Sequence, residues 1–463
     1  MVKSYDTIEN YFKEKNTLVM MNKKLRIILL ILILLIGLFL RVHGLTDTSL
    51  WADELHTYHF VDTFSISELF NIYGQTHPPL YFLFMKIWTL IFGVTSFILR
   101  LPSVIFSTLT LVVLYFFAKK LWNHNVAIIS VVLASLSNYL VNYAQEAKMY
   151  SLLWLLALLS IYYFYTMIKE DKYLWRYIIT TTFALYTHYS MFIIFATQII
   201  YILYRKKLSY LKYVLLLIVL SSPSWMKATM QSSVYKLSYI PGFSISALSK
   251  TLNNFSGEYV LNWSTNISLY AIIFLVLILF SIFSDKNENS LFILYFFLVP
   301  LILSIVISLF RHYYSIITIR FIGFLIYPYL LLVSLGINKL NKKWIMLGLV
   351  SIFLLTSMIT YHQQDMKLHG ENWESAISNL AETNIPLYVT DAWTTSIALR
   401  YYNPDLYKKS NLFNSSNLPS KFWLIGRESS YQNFIEDNLN ILNNYRLEED
   451  RSEWGVIVRK FQR

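Results

Sequence analysis

Two adjacent carboxylates, Asp53 and Glu54, stand just beyond the first long apolar run of the chain, with Arg41 and His43 at the end of that run. A carboxylate held there, ionised and within roughly 3 Å of a hydroxyl, can take its proton as a general base. Charged residues also simply solvate helix ends, and spacing alone leaves both readings open. His56 and His59 follow Asp53 at steps of three, and His77 lies in the same stretch. That spacing is loose for one helix face, so it favours solvated or hydrogen-bonded imidazoles over a metal site. In His77-Pro78-Pro79-Leu80 each proline locks its own φ and restricts its predecessor. The result is a stiff corner, which can also present His77 to a substrate.

A second polar group, Asn142, Tyr143, Gln145, Glu146, Lys148 and Tyr150, crowds a short turn between two apolar runs. Polar residues at membrane depth mark a cavity or pathway. A plain helix–helix turn with Lys148 reaching for the interface has the same composition. His188 begins another boundary, and Arg311 and His312 a later one. Arg320 falls inside an apolar segment, where an isolated charge costs at least about 2.5 kcal/mol. It therefore requires an anionic partner, and a phosphate would serve.

The elements that must position these residues are membrane helices. Of 463 residues 56% are hydrophobic and 14% charged, with mean hydropathy +0.46, which is more apolar surface than one soluble core hides. Runs at 25–40, 152–168 and 292–309 reach or approach the ~20 residues needed to cross a bilayer. Much of the 36 Tyr and 12 Trp suits the headgroup level. The net charge of +12 sits in short clusters between apolar runs, a topological pattern and not a nucleic-acid patch. The absence of cysteine excludes disulfides and thiolate chemistry.

Apolar runs set against charge clusters predict about eleven spans, near 26–44, 101–118, 126–143, 150–168, 174–187, 189–204, 212–226, 267–283, 290–309, 316–335 and 344–361. The first, flanked by Lys23, Lys24 and Arg26, reads as an uncleaved anchor after a cytoplasmic 1–25 segment. Placing its lysines in the cytoplasm puts the clusters at 119–120, 172–176, 205–207 and 339–343 on the same side. The outer face then receives the 45–100 loop, the 144–149 turn and everything after His362. The 78–92 segment carries Lys86 in its middle and, if it spanned, would invert every later cluster. It reads as an interfacial helix, with a re-entrant hairpin as the competing arrangement. The transmembrane domain thus covers 26–361. The 362–463 tail, of ordinary polarity, alternates helix and strand patterns and reads as a small extracytoplasmic α/β domain.

Four motifs together, Trp51-Ala52-Asp53-Glu54, His77-Pro78-Pro79-Leu80-Tyr81, Arg100-Leu101-Pro102-Ser103 and Tyr143-Ala144-Gln145-Glu146-Ala147-Lys148-Met149-Tyr150, resemble the C-type membrane glycosyltransferases that use lipid-phosphate sugars. Protein O-mannosyltransferases and the aminoarabinose transferases that modify lipid A are relatives of this kind. The resemblance covers roughly residues 25 to 205 well and the later spans loosely, through Arg320-Phe321 and Asn372-Trp373-Glu374. Lys148 stands where arginine is expected, Phe321 where tyrosine is usual, and Glu374 where arginine is common.

The resemblance implies Asp53 as base, with Glu54, Glu146 and Lys148 in or near the site. It implies a polyprenyl- or dolichyl-phosphate sugar as donor, a glycan, lipid or protein as acceptor, and inversion in one displacement. Lys148, Arg320, Arg311 and His188 are the candidate phosphate ligands, and His77, Gln145 and Tyr150 complete the candidate site. Cationic side chains can supply the phosphate clamp, so no cofactor is expected, although a divalent metal is compatible. A transporter or flippase of lipid-linked glycans, or a scaffold whose tail binds a partner, would share the spans but need no base.

Overall fold

The computed structural model describes residues 23–72, 77–231, 244–257, 266–310, 320–365, 371–378, 380, 385–391, 393–414 and 418–463. Among these, four helices are long and apolar enough to cross a membrane: Lys24–Val42, Ser96–Leu121, Tyr150–Glu170 and Glu288–Leu309. A further pair, His124–Ser135 and Asn138–Ala144, is bent by 62°, the shape of a broken span or of a re-entrant loop. Helices also stand near the other predicted positions, including Met191–Tyr204, Leu269–Ser284 and Ile326–Lys339, but many are too short alone, and the expected count of about eleven is not confirmed. A 14-residue helix is about 21 Å long, against ~30 Å of hydrocarbon.

Burial separates the centre of the bundle from its rim. Tyr150–Glu170 is buried along almost its whole length, whereas Lys23–Val42 leaves Ile28, Leu32, Leu35 and Phe39 about half exposed, an apolar face suited to lipid. At the break in this bent pair the freed carbonyls have a partner from another helix. Fully buried Arg41 donates to Ser135 O and Ala134 O, at 3.3 and 3.1 Å, and to Ser107 Oγ at 2.8 Å. It thereby satisfies carbonyls that a helix terminus would otherwise leave bare.

Charged and polar ties gather in two layers at opposite ends of the helices. One holds Lys120–Glu170 at 2.5 Å, Glu288 paired with both Lys169 and Arg205, and Lys339–Asp285 at 3.6 Å. The other holds the turns around residues 100, 147, 188 and 320. The Leu80–Phe92 helix begins and ends in this second layer: Leu80 N donates to Tyr186 O at 3.0 Å, and Trp88 Nε1 to Ile98 O at 2.9 Å, in the first turn of Ser96–Leu121. A helix with both ends on one side does not cross, an arrangement that the interfacial and the re-entrant readings share.

The tail folds into a five-stranded sheet of order β2-β1-β3-β5-β4, formed by β1 (Leu387–Val389), β2 (Asn411–Leu412), β3 (Lys421–Arg427), β4 (Arg446–Glu453) and β5 (Val456–Gln462). β1 pairs parallel with β2 and β3; β5 pairs antiparallel with β3 and β4. The sequence pattern predicts a strand at 422–425 and a helix at 394–402, and the buried run in β3 and the Thr394–Tyr402 helix stand there. β4 is an edge strand of charged residues with no apolar alternation, so periodicity missed it; charge on an edge opposes pairing with other chains.

Candidate active site

The Ala52–Thr63 helix presents Asp53 in its first turn. Arg320 Nη1 donates to Asp53 Oδ2 at 2.7 Å, and the same guanidinium lies 4.8 Å over the Trp51 ring. The predicted anionic partner of Arg320 is thus, in the first instance, Asp53. Both side chains remain partly open, at 39% and 35% exposure, although protein surrounds them on most sides, the geometry of a recess. Burial pushes the Asp53 carboxyl up, but the charges of Lys148 and Arg320 outweigh it and hold it below the usual carboxylate range.

Lys148 is 3% exposed, and its ammonium makes no ion pair or hydrogen bond among the described residues. Burial lowers its pKa, opposed chiefly by Asp53. Its turn is fixed from both sides: Ser103 Oγ donates to Lys148 O at 3.3 Å, and Ser151 Oγ to Tyr143 O at 2.9 Å. Buried Glu146 shares this turn, and Tyr150 lies close enough for its phenol to feel both Arg320 and Asp53.

The histidines His77 and His188 lie ring to ring at 5.2 Å, with Phe321 5.2 Å beyond and Tyr150 6.0 Å away. Burial, reinforced by Lys148, pushes the His188 imidazole down to about 4, and His77 is held well below its ordinary value. Both are neutral near pH 7. His188 Nδ1 meets Ser190 Oγ at 2.9 Å, while His77 Nδ1 is buried with no hydrogen-bond partner among the described residues.

Two candidates hold structure together and do not face the recess. Glu54 is fully buried; it accepts from Arg100 Nε and Nη2 at 2.8 and 2.6 Å and from Ala147 N at 2.8 Å, tying the Asp53 helix to the Lys148 turn. Gln145 Nε2 donates to His43 O at 2.7 Å and more weakly to Leu40 O and Arg41 O, capping the first membrane helix. Arg311 lies outside the described residues. His56 and His59 pack edge-on against Trp393, at 5.4 and 4.8 Å, and His59 Nδ1 meets Thr63 Oγ1 at 3.2 Å. Among the described residues no three His, Asp or Glu side chains converge as metal ligands.

Arg100 was legible only as part of a motif, yet it organises the 45–49 segment before the Asp53 helix, donating also to Leu45 O, Thr48 O and Ser49 O. An arginine opening an apolar run was its signal. Glu371 and Tyr402, which reach the same loop from the tail, carried none.

Residues 76–226 match the family described as dolichyl-phosphate-mannose-protein mannosyltransferase. No curated protein matches the chain in sequence. Among solved structures, ArnT from Cupriavidus metallidurans in the apo state aligns with TM-score 0.62 at 11% identity over 94% of this chain and 97% of that one. ArnT bound to undecaprenyl phosphate aligns at 0.60, with 11% identity over 95% and 98%. The Archaeoglobus fulgidus oligosaccharyltransferase AglB, in complex with an inhibitory peptide and a dolichol-phosphate, aligns at 0.53, with 10% identity over 93% and 74%. The resemblance read from the four motifs is thus met independently: the chain has the fold of the C-type membrane glycosyltransferases and carries, over residues 76–226, the match to their mannosyltransferase branch.

Proposed function

We propose that the chain moves a sugar from a polyprenyl- or dolichyl-phosphate donor to an acceptor hydroxyl at the outer membrane face, with inversion. The observation that carries this is the juxtaposition of an ionised carboxylate, Asp53, with Arg320 and with the buried cation Lys148, which makes no ion pair or hydrogen bond among the described residues. A direct displacement needs one base and one stabilised leaving group. Asp53 is the base for the acceptor hydroxyl as its oxygen attacks the anomeric carbon; the C–O bond to phosphate breaks, and the lipid phosphate leaves carrying the electron pair. Lys148 and Arg320 hold that phosphate, Arg320 exchanging part of its contact with Asp53 for the ligand. Neutral His77 and His188 border the same recess and can donate hydrogen bonds without adding charge. The undecaprenyl phosphate and dolichol-phosphate bound by the ArnT and AglB structures support a lipid-phosphate donor here.

The test is incubation of membranes holding the protein with a panel of radiolabelled polyprenyl-phosphate sugars, following label into protein, lipid and glycan fractions. Label is expected in one fraction, and Arg320→Ala is expected to weaken donor use far more than folding, with Arg320→Lys partly active. No transfer from any donor, or equal loss of activity and stability in Arg320→Ala, would count against the reading.

A further inference from the structure

We infer that Glu371, from the C-terminal domain, is a positioning residue for Asp53, so that this domain is part of the catalytic unit; the inference rests on Asp53 being the base. The first amides of a helix lack intrahelical partners and are normally capped by the preceding side chain. In the Ala52–Thr63 helix that residue is Trp51, whose indole can only donate. The cap comes instead from 319 residues away: Ala52 N donates to Glu371 Oε2 at 2.9 Å. The same oxygen accepts from Trp373 Nε1 at 2.9 Å, and Oε1 pairs with Arg427 Nε at 2.5 Å. With its side chain 5% exposed and three donors on it, Glu371 is held in one place, and the amide it grips belongs to the residue before Asp53.

Other ties between the two units run along the same segment. Leu50 N donates to Tyr402 Oη at 2.6 Å and Glu374 N to Ser49 Oγ at 3.2 Å, while at the far end of the helix Arg400 engages Thr63 Oγ1 at 3.1 Å and Asp62. The domain therefore clamps both ends of the helix that bears the base. Arg427, held by Glu371, also lends its charge to Asp53.

The experiment uses the full chain with the polyprenyl-phosphate sugar that the parental protein accepts, measuring kcat, donor KM, melting temperature and the pH profile. In Glu371→Gln the amide oxygen can still accept from Ala52 and Trp373 but the ion pair with Arg427 is lost, so kcat is expected to fall, less than in Glu371→Asp. Loss of the negative charge leaves Arg427 uncompensated, which favours ionised Asp53 and moves the acid limb of kcat to lower pH; an unmoved limb would count against coupling between the Glu371–Arg427 pair and Asp53. Glu371→Asp retracts the carboxylate by one methylene, and kcat is expected to fall about tenfold or more with donor KM unchanged, since misplacement of ~1 Å costs up to ~10²-fold. Parental kcat in both variants, or loss of kcat, donor affinity and melting temperature in step, would overturn the inference. Asp53→Asn in the same assay separates the two levels: if it is inactive while Glu371→Asp is parental, only the positioning role falls; if it is active, the base assignment falls and this role with it.

Discussion

At the scale of single residues the recess works through charges that oppose one another. In its proposed role as base, Asp53 is held below the usual carboxylate range by the charges of Lys148 and Arg320, which trades basicity for readiness at lower pH. Asp53→Asn keeps size and much of the hydrogen bonding but cannot take the proton. Turnover is therefore expected to fall by about 10²-fold or more with donor binding little changed, and near-parental transfer by the purified variant would redirect attention to Glu146. Lys148 titrates where the expected arginine would not. Burial lowers its pKa from the ordinary lysine value, so the ammonium is present at low pH and is lost as pH rises through that lowered value. Donor KM is expected to climb on the alkaline side below the range of a free lysine, about 10.4, and Lys148→Arg is expected to flatten the climb. A KM profile identical in the two proteins would remove Lys148 from the phosphate site.

At the scale of elements, Glu54 and Arg100 join three pieces: the Ala52–Thr63 helix, the start of Ser96–Leu121 and the 145–149 turn. Breaking a buried ion pair by removing one partner strands the other charge, at roughly 3–5 kcal/mol. Glu54→Ala is expected to destabilise the protein on that scale and to reduce donor binding and turnover together, because the Lys148 turn loses its anchor. A thermal melt in detergent beside donor KM checks this, and an unchanged melting temperature would refute it. Close approach matters too. A Cβ at Gly323 would lie 2.2 Å from the Trp154 ring and 2.3 Å from Tyr139 Oη, both fully buried. Gly323→Ala is expected to push the 320–325 turn, and Arg320 with it, away from Asp53, with loss of kcat exceeding loss of stability in assays run side by side.

At the scale of the molecule, two charged layers cap opposite ends of the helices, and the site and tail share one of them. The bias of lysine and arginine clusters predicts that the other layer is the cytoplasmic one. Single cysteines are convenient reporters in a chain that has none. An impermeant reagent on intact cells is expected to label position 430 and spare position 206; the reverse pattern would invert the topology.

Hydropathy and charge asymmetry depend only on local composition, so the membrane class and the polar tail were legible in the sequence. Motif chemistry likewise singled out Asp53, Lys148 and Arg320. Span count was not, because a break such as that at 135–138 depends on Arg41 arriving from another helix to hold the freed carbonyls. Nor could composition divide labour between neighbours. Asp53 and Glu54 are equal as letters, but successive residues of a helix point about 100° apart, and only the packed structure decides that Asp53 faces Arg320 while Glu54 turns inward to Arg100. The Ala52–Glu371 contact joins residues 319 apart, a pairing that no local pattern encodes and that exists only once the tail has docked.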